Sequence, residues 1–403
     1  MGHVNGMMAL GGHQRGLLAV MAAAAILTAC SQTATMRSPA SPALAFEVLG
    51  YTQLPPTHEV EGTLFGGISG IDRDPRTGDW FLVSDDRSEH APARFHVGDI
   101  DLDRNGIAEI RVRKAIPIRT RAGALYPSPG SGAEAIDAEA IRFDPASGEL
   151  WWTTEGDASS MASPALRRMA PDGYWRGEVS LTRMLVLNPA LSSGARPNLS
   201  FEGLDWSADG KGLWLAMEAP LLQDGPLADT REGALVRFSL LSRDGALLMQ
   251  RAYRTDPVPE HPPGRLADNG VSEILDLGGG QLLVMERSGV QRESGGFRFH
   301  VRLYCASVDA GQEISRVPTL AGRAVRPASK RLMLDLAQLP DVPQANFEGM
   351  AWGPVLDDGR ATLLLVSDNN FDPNDGTVFV LLASSRARDE AWLRTHCPGE
   401  DAP

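Results

Sequence analysis

Hydrophobic and polar residues form two short strand-like runs around a turn in the middle of the chain. The runs 201–206 and 212–218 are rich in Leu, Trp and Phe, and an Asp-Gly pair at 209–210 lies between them. This pattern predicts an antiparallel β-hairpin. Because the turn lies midway between Glu202 and Glu218, pairing brings the two carboxylates together at the end of the hairpin opposite the turn.

The hairpin pattern occurs five times along the chain. Its copies begin near Ile68, Ala138, Phe201, Val271 and Phe347. A repeated hairpin that cannot bury its own apolar face predicts a radial or stacked array. Further strand-like runs follow the hairpins, at residues 94–100, 107–118, 165–169, 174–187, 234–241, 247–253, 297–306, 331–336 and 377–382.

Together these runs predict an all-β protein, a β-propeller of five four-stranded blades. The last hairpin has one further run after it, and the run 45–54 near the N-terminus has no partner. We expect these N- and C-terminal strands to pair, because radial closure protects the sheet edges. The long spacing between hairpins leaves two interpretations, large loops or a sixth, irregular blade near residues 305–335. The best helix candidate is the segment 385–394.

The first residues have the pattern of an export signal. Arg15 precedes an apolar run at 17–27 that is too short to span a bilayer. The run ends in Leu27-Thr28-Ala29-Cys30, which resembles the lipobox of bacterial lipoproteins. We therefore expect residues 1–30 to be a lipoprotein signal peptide and Cys30 to be the lipidated first residue; an ordinary signal peptide is the alternative.

Composition divides the rest of the chain and limits its partners. Residues 31–43 are rich in Ser, Thr, Ala and Pro and predict a flexible tether, followed by the propeller at 44–384 and a tail at 385–403. The net charge of −13 argues against a nucleic-acid partner and suits a protein that attracts cations. Cys305 and Cys397 either form a disulfide in an oxidising compartment or remain free buried thiols.

Acidic residues recur at two positions of the repeated hairpin. The residue that ends the second strand is acidic in every copy: Asp85, Glu155, Glu218, Glu286 and Asp368. The position that begins the first strand is mixed: Ser69, Glu139, Glu202, Ser272 and Glu348. In a propeller both positions face one mouth of the central channel. Further oxygen-bearing side chains lie nearby in the sequence, namely Asp86, Asp268, Asn269, Asn369 and Asn370.

A ring of carboxylates at the channel mouth needs protons or cations, because like charges in one place repel each other. Hard cations take oxygen ligands, so the sequence predicts a divalent cation site, and Ca²⁺ fits it best. The alternative is a structural ring in which the acids cap loops or pair with Arg87 or Arg287. An arginine beside a metal could instead hold a phosphate by two hydrogen bonds.

Several sequence blocks resemble one known family. They are Gly67-Ile68-Ser69-Gly70-Ile71, Ser84-Asp85-Asp86-Arg87, Ala138-Glu139-Ala140-Ile141, Thr154-Glu155-Gly156, Phe201-Glu202-Gly203-Leu204, Met285-Glu286-Arg287 and Asn346-Phe347-Glu348-Gly349. Their order resembles the phytase-like domain family, described as having esterase-like activity of phytase, here in the form of a bacterial lipoprotein. The resemblance implies a secreted β-propeller with phosphoesterase or esterase activity. It assigns no catalytic residue.

Other enzyme motifs are absent from the sequence. It contains no G-x-S-x-G elbow, no H-E-x-x-H zinc motif and no G-x-x-x-x-G-K-[ST] loop. His90 and His261 lie in polar stretches, where they are either general bases or solvated loop residues. Attack by water assisted by a metal ion requires only carboxylates and a cation.

Two functions therefore follow from the sequence. The first is a metal-dependent hydrolase of a small phosphate or other ester, with Arg87 or Arg287 neutralising the substrate anion. The second is a non-catalytic binding or scaffold protein of the cell envelope. In either case we expect an exported protein held at the bacterial envelope, on the outer membrane or the periplasmic face, by the lipid on Cys30.

Overall fold

The computed structural model describes residues 45–386 except 158, 159, 189, 191 and 263–265, together with Arg388, Trp392, His396 and Cys397. The expected signal peptide, tether and lipidated Cys30 lie outside these described residues, as does most of the helix expected at 385–394. The propeller lies within a unit that spans Leu44–Pro403. Within the described part of the chain, no helix is both long and apolar enough to cross a membrane.

The strands form five four-stranded antiparallel sheets arranged as a β-propeller, as the sequence predicted. Blade I contains β4 (Ile68–Arg73), β5 (Trp80–Ser84), β6 (Arg94–Asp103) and β7 (Gly106–Pro117). Blade II contains β8 (Ala138–Phe143), β9 (Leu150–Thr154), β10 (Ala165–Met169) and β11 (Trp175–Val179). Blade III contains β12 (Phe201–Trp206), β13 (Gly212–Met217), β14 (Leu235–Ser242) and β15 (Leu247–Arg254). Blade IV contains β16 (Gly270–Gly278), β17 (Gln281–Gln291), β18 (Phe297–Ser307) and β19 (Ser329–Asp335).

Blade V is built from both ends of the described chain. It contains β20 (Asn346–Trp352), β21 (Thr362–Asp368), β22 (Thr377–Ser384) and the N-terminal β1 (Phe46–Leu54). β1 pairs with β22 from Phe46 opposite Ser384 to Leu54 opposite Thr377. The expected closure of the ring by these two strands is therefore confirmed. A two-stranded ribbon, β2 (Glu59–Val60) and β3 (Thr63–Leu64), and the short 3₁₀ turns Arg183–Leu185 and Leu336–Gln338 complete the described elements.

Each innermost strand carries a β-bulge where it pairs with the second strand of its blade. The pairing shifts between residues 68 and 70, 138 and 141, 201 and 203, 271 and 273, and 347 and 349. A bulge leaves a residue without a direct partner and redirects its side chain. The positions passed over include Ser69, Glu139, Glu202, Ser272 and Glu348, the residues predicted to begin the first strands.

The innermost strands approach each other closely beside these bulges. Gly203 follows the bulged Glu202, and a Cβ placed on Gly203 would lie 3.0 Å from Ile274 Cγ1 and 3.2 Å from the Ile274 backbone nitrogen. Leu204 and Ile274 are fully buried in the core that joins blades III and IV. A larger residue at Gly203 would therefore push these two blades apart.

The segment between β18 and β19 is a loop, and the described residues form no sixth blade. The loop runs beside the outermost strand of blade III, where the Ile314 amide donates to the Gln250 carbonyl at 2.9 Å. Ile314 and Leu320 bury their side chains against Ala252. The long hairpin spacing thus reflects large loops, one of the two interpretations that the sequence allowed.

The two cysteines of the propeller unit form a disulfide. Cys305 in β18 joins Cys397, with Cα atoms 5.2 Å apart. Cys397 and the fully buried Trp392 pack in the core shared by blades IV and V. The disulfide thus fastens the C-terminal segment to blade IV.

One arginine closes the central channel on its axis. Arg142 lies in β8, and its guanidinium contacts the innermost strand of every blade. It donates to the carbonyls of Ile71, Ile141, Ile274 and Met350 at 2.8–3.4 Å and forms ion pairs with Asp205 at 3.3 Å and Glu273 at 2.8 Å. Arg142 therefore ties the innermost strands of all five blades together.

Candidate functional site

A cavity of about 1110 Å³ occupies the mouth of the channel. Acidic side chains from four blades lie on its inner wall: Asp85, Asp137, Glu139, Glu155, Glu202, Glu218, Glu348 and Asp368. Arg87 and Arg287 also line it. The structure thus brings seven of the eight predicted metal-site residues to one cavity and adds Asp137.

Four of the acids occupy the same position in their blades. The amides of Asp85, Glu155 and Glu218 donate to the carbonyls of Gly67, Asp137 and Ser200, respectively, at 2.7–2.9 Å. Asp368 lies opposite Asn346 in the strand ladder, which is the equivalent pairing in blade V. The carbonyl partner in each case lies two residues before the bulge. In these four blades the second strand therefore places its acid at the level of the bulged residue.

Glu286 does not line the cavity, and Arg287 occupies the equivalent position in blade IV. Arg287 lies opposite Gly270, two residues before the bulged Ser272. Blade IV has a second shift of pairing between Asp276 and Gly278 beside its hairpin turn. A shift of one residue turns a side chain to the other face of a strand. If the acidic position is counted from the first residue paired after the turn, the count reaches Glu286, which lies one residue before the equivalent position at Arg287.

The Glu286 carboxylate is instead held between blades III and IV. Its oxygens accept hydrogen bonds from Tyr253 Oη at 2.6 Å, Lys330 Nζ at 2.5 Å and the Asp256 amide at 2.8 Å. Asn269 donates to the same carboxylate at 2.9 Å. Glu286 and Asn269 thus belong to a structural network, which corrects their predicted place near a cation.

Two groups of three carboxylates meet at Glu155. Asp137, Glu139 and Glu155 each place a carboxylate oxygen within 4.8 Å of the others, and Glu155, Glu202 and Glu218 do the same. All five residues are buried. The Ser200 amide donates to Oε1 of Glu155 and fixes its orientation.

Blades I and V contribute a second arc of the ring. Nδ2 of Asn346 donates to Glu348 at 2.8 Å and to Asp368 at 3.2 Å. Oδ1 of Asn346 is buried and has no hydrogen-bond partner among the residues described. Asp85 faces this arc, since the charges of Asp368 and Glu348 both act on it.

Both candidate arginines form ion pairs with the ring, as one of the two interpretations expected. Arg287 pairs with Glu218 at 2.9 Å and with Glu348 at 3.5 Å, so it bridges the two arcs. Arg87 lies 3.7 Å from Asp137 and 3.4 Å from Asp157. Its side chain is 29% exposed, twice the 14% of Arg287. Arg87 is therefore the more accessible guanidinium.

The additional oxygen-bearing residues serve mainly to hold loops. Asp86 accepts from the amides of Glu89, His90 and Ala91 and pairs with Arg94. Oδ1 of Asn369 accepts from the Gly67 amide at 3.0 Å, and Oδ1 of Asp268 accepts from the Gly289 amide at 3.2 Å. The exposed Asn370 donates its amide to Asp368 at 2.7 Å. These contacts fix the rim of the mouth.

The two candidate histidines lie in different places. His90 lines the cavity and stacks on Phe371 with ring centroids 4.3 Å apart. His261 is not among the lining residues and contacts Thr230 Oγ1 at 3.3 Å. Only His90 is therefore placed where it could meet a ligand of this cavity.

Burial and mutual repulsion raise the pKa values of the ring acids. Burial raises the pKa of Asp137 and of Asp368 to about 6, of Glu218 to about 7 and of Glu348 to about 8. The pKa values of Asp85, Glu139, Glu155 and Glu202 are raised well above the ordinary range by burial and by neighbouring acids. The ring therefore holds protons unless another positive charge replaces them.

The donor set fits a hard divalent cation. Each ring acid offers carboxylate oxygens, and the unpartnered Oδ1 of Asn346 adds a neutral oxygen. The Glu202 carboxylate is buried, and the charges of Glu218, Glu155 and Glu348 act on it. Ca²⁺ takes six to eight such ligands in flexible geometry. The clustered carboxylates thus have the chemistry of a cation site.

Fold and site together define an all-β propeller with an acidic channel mouth. A family model described as phytase-like, with esterase-like activity of phytase, matches residues 63–371. The protein belongs to this phytase-like family. No curated protein matches the chain.

Three solved structures with remote similarity to the chain illustrate its neighbours. A mannose phosphorylase from Leishmania mexicana is 11% identical with a TM-score of 0.43, covering 87% of this chain and 91% of its own. An exo-β-1,3-galactanase from Phanerochaete chrysosporium is 12% identical with a TM-score of 0.41, covering 82% and 64%. An α-L-arabinanase from Penicillium chrysogenum is 11% identical with a TM-score of 0.38, covering 84% and 96%. These similarities are too low to transfer an activity.

Sequence reasoning missed Asp137 and Asn346. Each lies two residues before a bulged acid, Glu139 and Glu348 respectively. Residues two apart on a strand point to the same face. The spacing Asp-x-Glu and Asn-x-Glu at a strand start was thus the available signal.

Proposed function

We propose that the protein is an exported hydrolase of small phosphate or carboxylic esters that depends on a divalent cation, Ca²⁺, at the channel mouth. The observation that carries this proposal is that two clusters, each of three buried carboxylates, have Glu155 in common. When bound, a divalent cation polarises the ester and activates water for attack. Membership of the phytase-like family supports ester hydrolysis as the reaction class.

The residues of the chain divide the work in this proposal. Asp137, Glu139, Glu155, Glu202 and Glu218 hold the cation, with Asp85, Glu348 and Asp368 completing the acidic mouth. Arg287 keeps the two arcs together through Glu218 and Glu348. Arg87 binds the anionic end of the substrate, because it lines the cavity and its side chain is partly exposed.

Turnover of p-nitrophenyl phosphate and p-nitrophenyl acetate with and without EDTA tests the function. We expect EDTA to abolish turnover and Glu155→Gln to lower it about 10–100-fold, as loss of a group supporting a metal does. Glu109→Gln is the matched control, since Glu109 is exposed in blade I and pairs with the exposed Arg111. Turnover that EDTA leaves unchanged would contradict the proposal. Calcium binding without turnover would favour the non-catalytic scaffold.

We also propose that the protein is anchored at the bacterial envelope by a lipid on Cys30. The disulfide between Cys305 and Cys397 supports an oxidising compartment, because such bonds persist mainly outside the cytosol. Cys30→Ser should move the protein from the membrane fraction to the soluble fraction. Retention of that variant in the membrane fraction would argue against the anchor.

A further inference from the structure

The second and third strands of blade IV extend beyond the level of the mouth. Arg287 marks that level in β17, yet pairing with β18 continues from Ser288 opposite His300 to Gln291 opposite Phe297. The corresponding strands β5, β9 and β13 end at Ser84, Thr154 and Met217, one residue before their ring acids. The β17–β18 hairpin therefore forms a wall beside the cavity.

This wall presents two phenylalanines to the cavity. Phe297 and Phe299 are two residues apart on β18, and both line the cavity. Their rings are stacked, with centroids 6.2 Å apart and planes inclined by 29°. Phe297 is 39% exposed. Gly295 and Gly296 line the cavity next to Phe297 and add no side chain that could cover its ring.

The hairpin itself covers these two rings unequally. A Cβ at Gly289 would be 3.6 Å from the ring of Phe297 and 3.7 Å from the ring of Phe299, so both rings lie over this glycine of the neighbouring strand. Phe297 lies opposite Gln291 and keeps an exposed ring. An exposed apolar ring in a cavity of charged groups gains free energy when an apolar ligand surface covers it.

The side chains also indicate the chemistry of that surface. Phe has neither the hydroxyl of Tyr nor the N–H of Trp, so the pair offers no hydrogen bond to a sugar hydroxyl. Offset stacking with another aromatic ring is favourable at the 4.5–7 Å separations that such pairs adopt. The pair therefore suits a flat apolar ring.

We propose that Phe297 and Phe299 bind the aryl group of an aryl ester substrate. This inference rests on the proposed function, since the acidic mouth and Arg87 hold the anionic end of the same substrate. These two phenylalanines, the aryl platform, then set substrate specificity, because they distinguish aryl esters from small alkyl esters.

Binding of phenylphosphonate and methylphosphonate in CaCl₂, measured by calorimetry on the full chain, tests the proposal. We expect phenylphosphonate to bind at least about tenfold more tightly, as burial of one ring face predicts. Phe297→Ala should remove this preference, and Phe297→Leu should keep part of it. Leu248→Ala is the matched control, because Leu248 is 57% exposed in β15 and does not line the cavity.

Calcium-dependent thermal stabilisation of the same proteins separates the two proposals. A wild-type calcium shift without a preference for phenylphosphonate, or without binding of either phosphonate, overturns the aryl platform and leaves the cation site standing. A preference for phenylphosphonate that survives in Phe297→Ala also overturns it. A preference without any calcium shift supports the platform and overturns the proposed cation chemistry.

Discussion

Arg142 forms a buried cluster of charges with Asp205 and Glu273 where the innermost strands of all five blades meet. Burial raises the pKa of Asp205 to about 7 and of Glu273 to about 8, although the positive charge of Arg142 opposes both shifts. Burial alone would lower the pKa of Arg142, but the charges of Glu273 and Asp205 raise it, so the guanidinium stays charged. Its removal leaves acids without a counter-charge in the interior.

We expect Arg142→Met to lower the free energy of unfolding by about 3–5 kcal/mol, the usual cost of breaking a buried ion pair from one side. Adding Glu273→Gln should recover part of this loss, because it removes the uncompensated acid. Urea unfolding at neutral pH measures both values. Arg111→Met is the control, since Arg111 is 60% exposed and its pair is worth little. Equal stability of Arg142→Met and the wild type would show that the axis does not depend on this residue.

At the scale of the strand, the sequence predicted the blades well and the site less completely. The repeated hairpins specified five blades, and the unpaired run near the N-terminus specified their closure. The predicted acidic position faces the cavity in four blades, because Asp85, Glu155, Glu218 and Asp368 follow one pairing rule. Glu286 failed because a shift between Asp276 and Gly278 changes the register without a clear sequence signal. Asp137 was missed because its place beside Glu155 follows from strand pairing, which the sequence alone does not show.

The close contact of innermost strands can be tested at Gly203. We expect Gly203→Val to lower the free energy of unfolding by about 1–3 kcal/mol, because added carbons must displace Ile274 and Ala216. Gly50→Val in β1 is the matched control, since the nearest atom to a Cβ there is 3.6 Å away. Urea unfolding compares the two variants. Equal loss of stability in both would mean that strand position, and not crowding between blades, sets the cost.

For the molecule as a whole, the acidic mouth couples stability to pH and to cations. The ring acids have pKa values raised in the folded state, for example from 4.5 to about 7 for Glu218 and to about 8 for Glu348. The folded protein therefore binds more protons than the unfolded chain between about pH 4 and pH 8, and stability falls as pH rises through this range. Cations that replace the protons should cancel this loss.

We expect the ring acids to make the melting temperature of the metal-stripped protein higher at pH 5 than at pH 8. Calcium at about a hundredfold excess over its Kd should add about 2.7 kcal/mol of stability at pH 8. It should add less at pH 5, where protons compete for the carboxylates. Differential scanning calorimetry with CaCl₂ or EDTA at both pH values checks this. The same calcium shift at both pH values would rule out the exchange of protons for cations.

The pairing of β1 with β22 means that the ring can close only late in synthesis of the protein. Phe46 emerges from the ribosome early, whereas its partner Ser384 follows more than 300 residues later. At roughly 5–20 residues per second, β1 waits on the order of 20–70 s for its partner. During that wait the ring is open, and two strand edges are free to pair with the wrong chain.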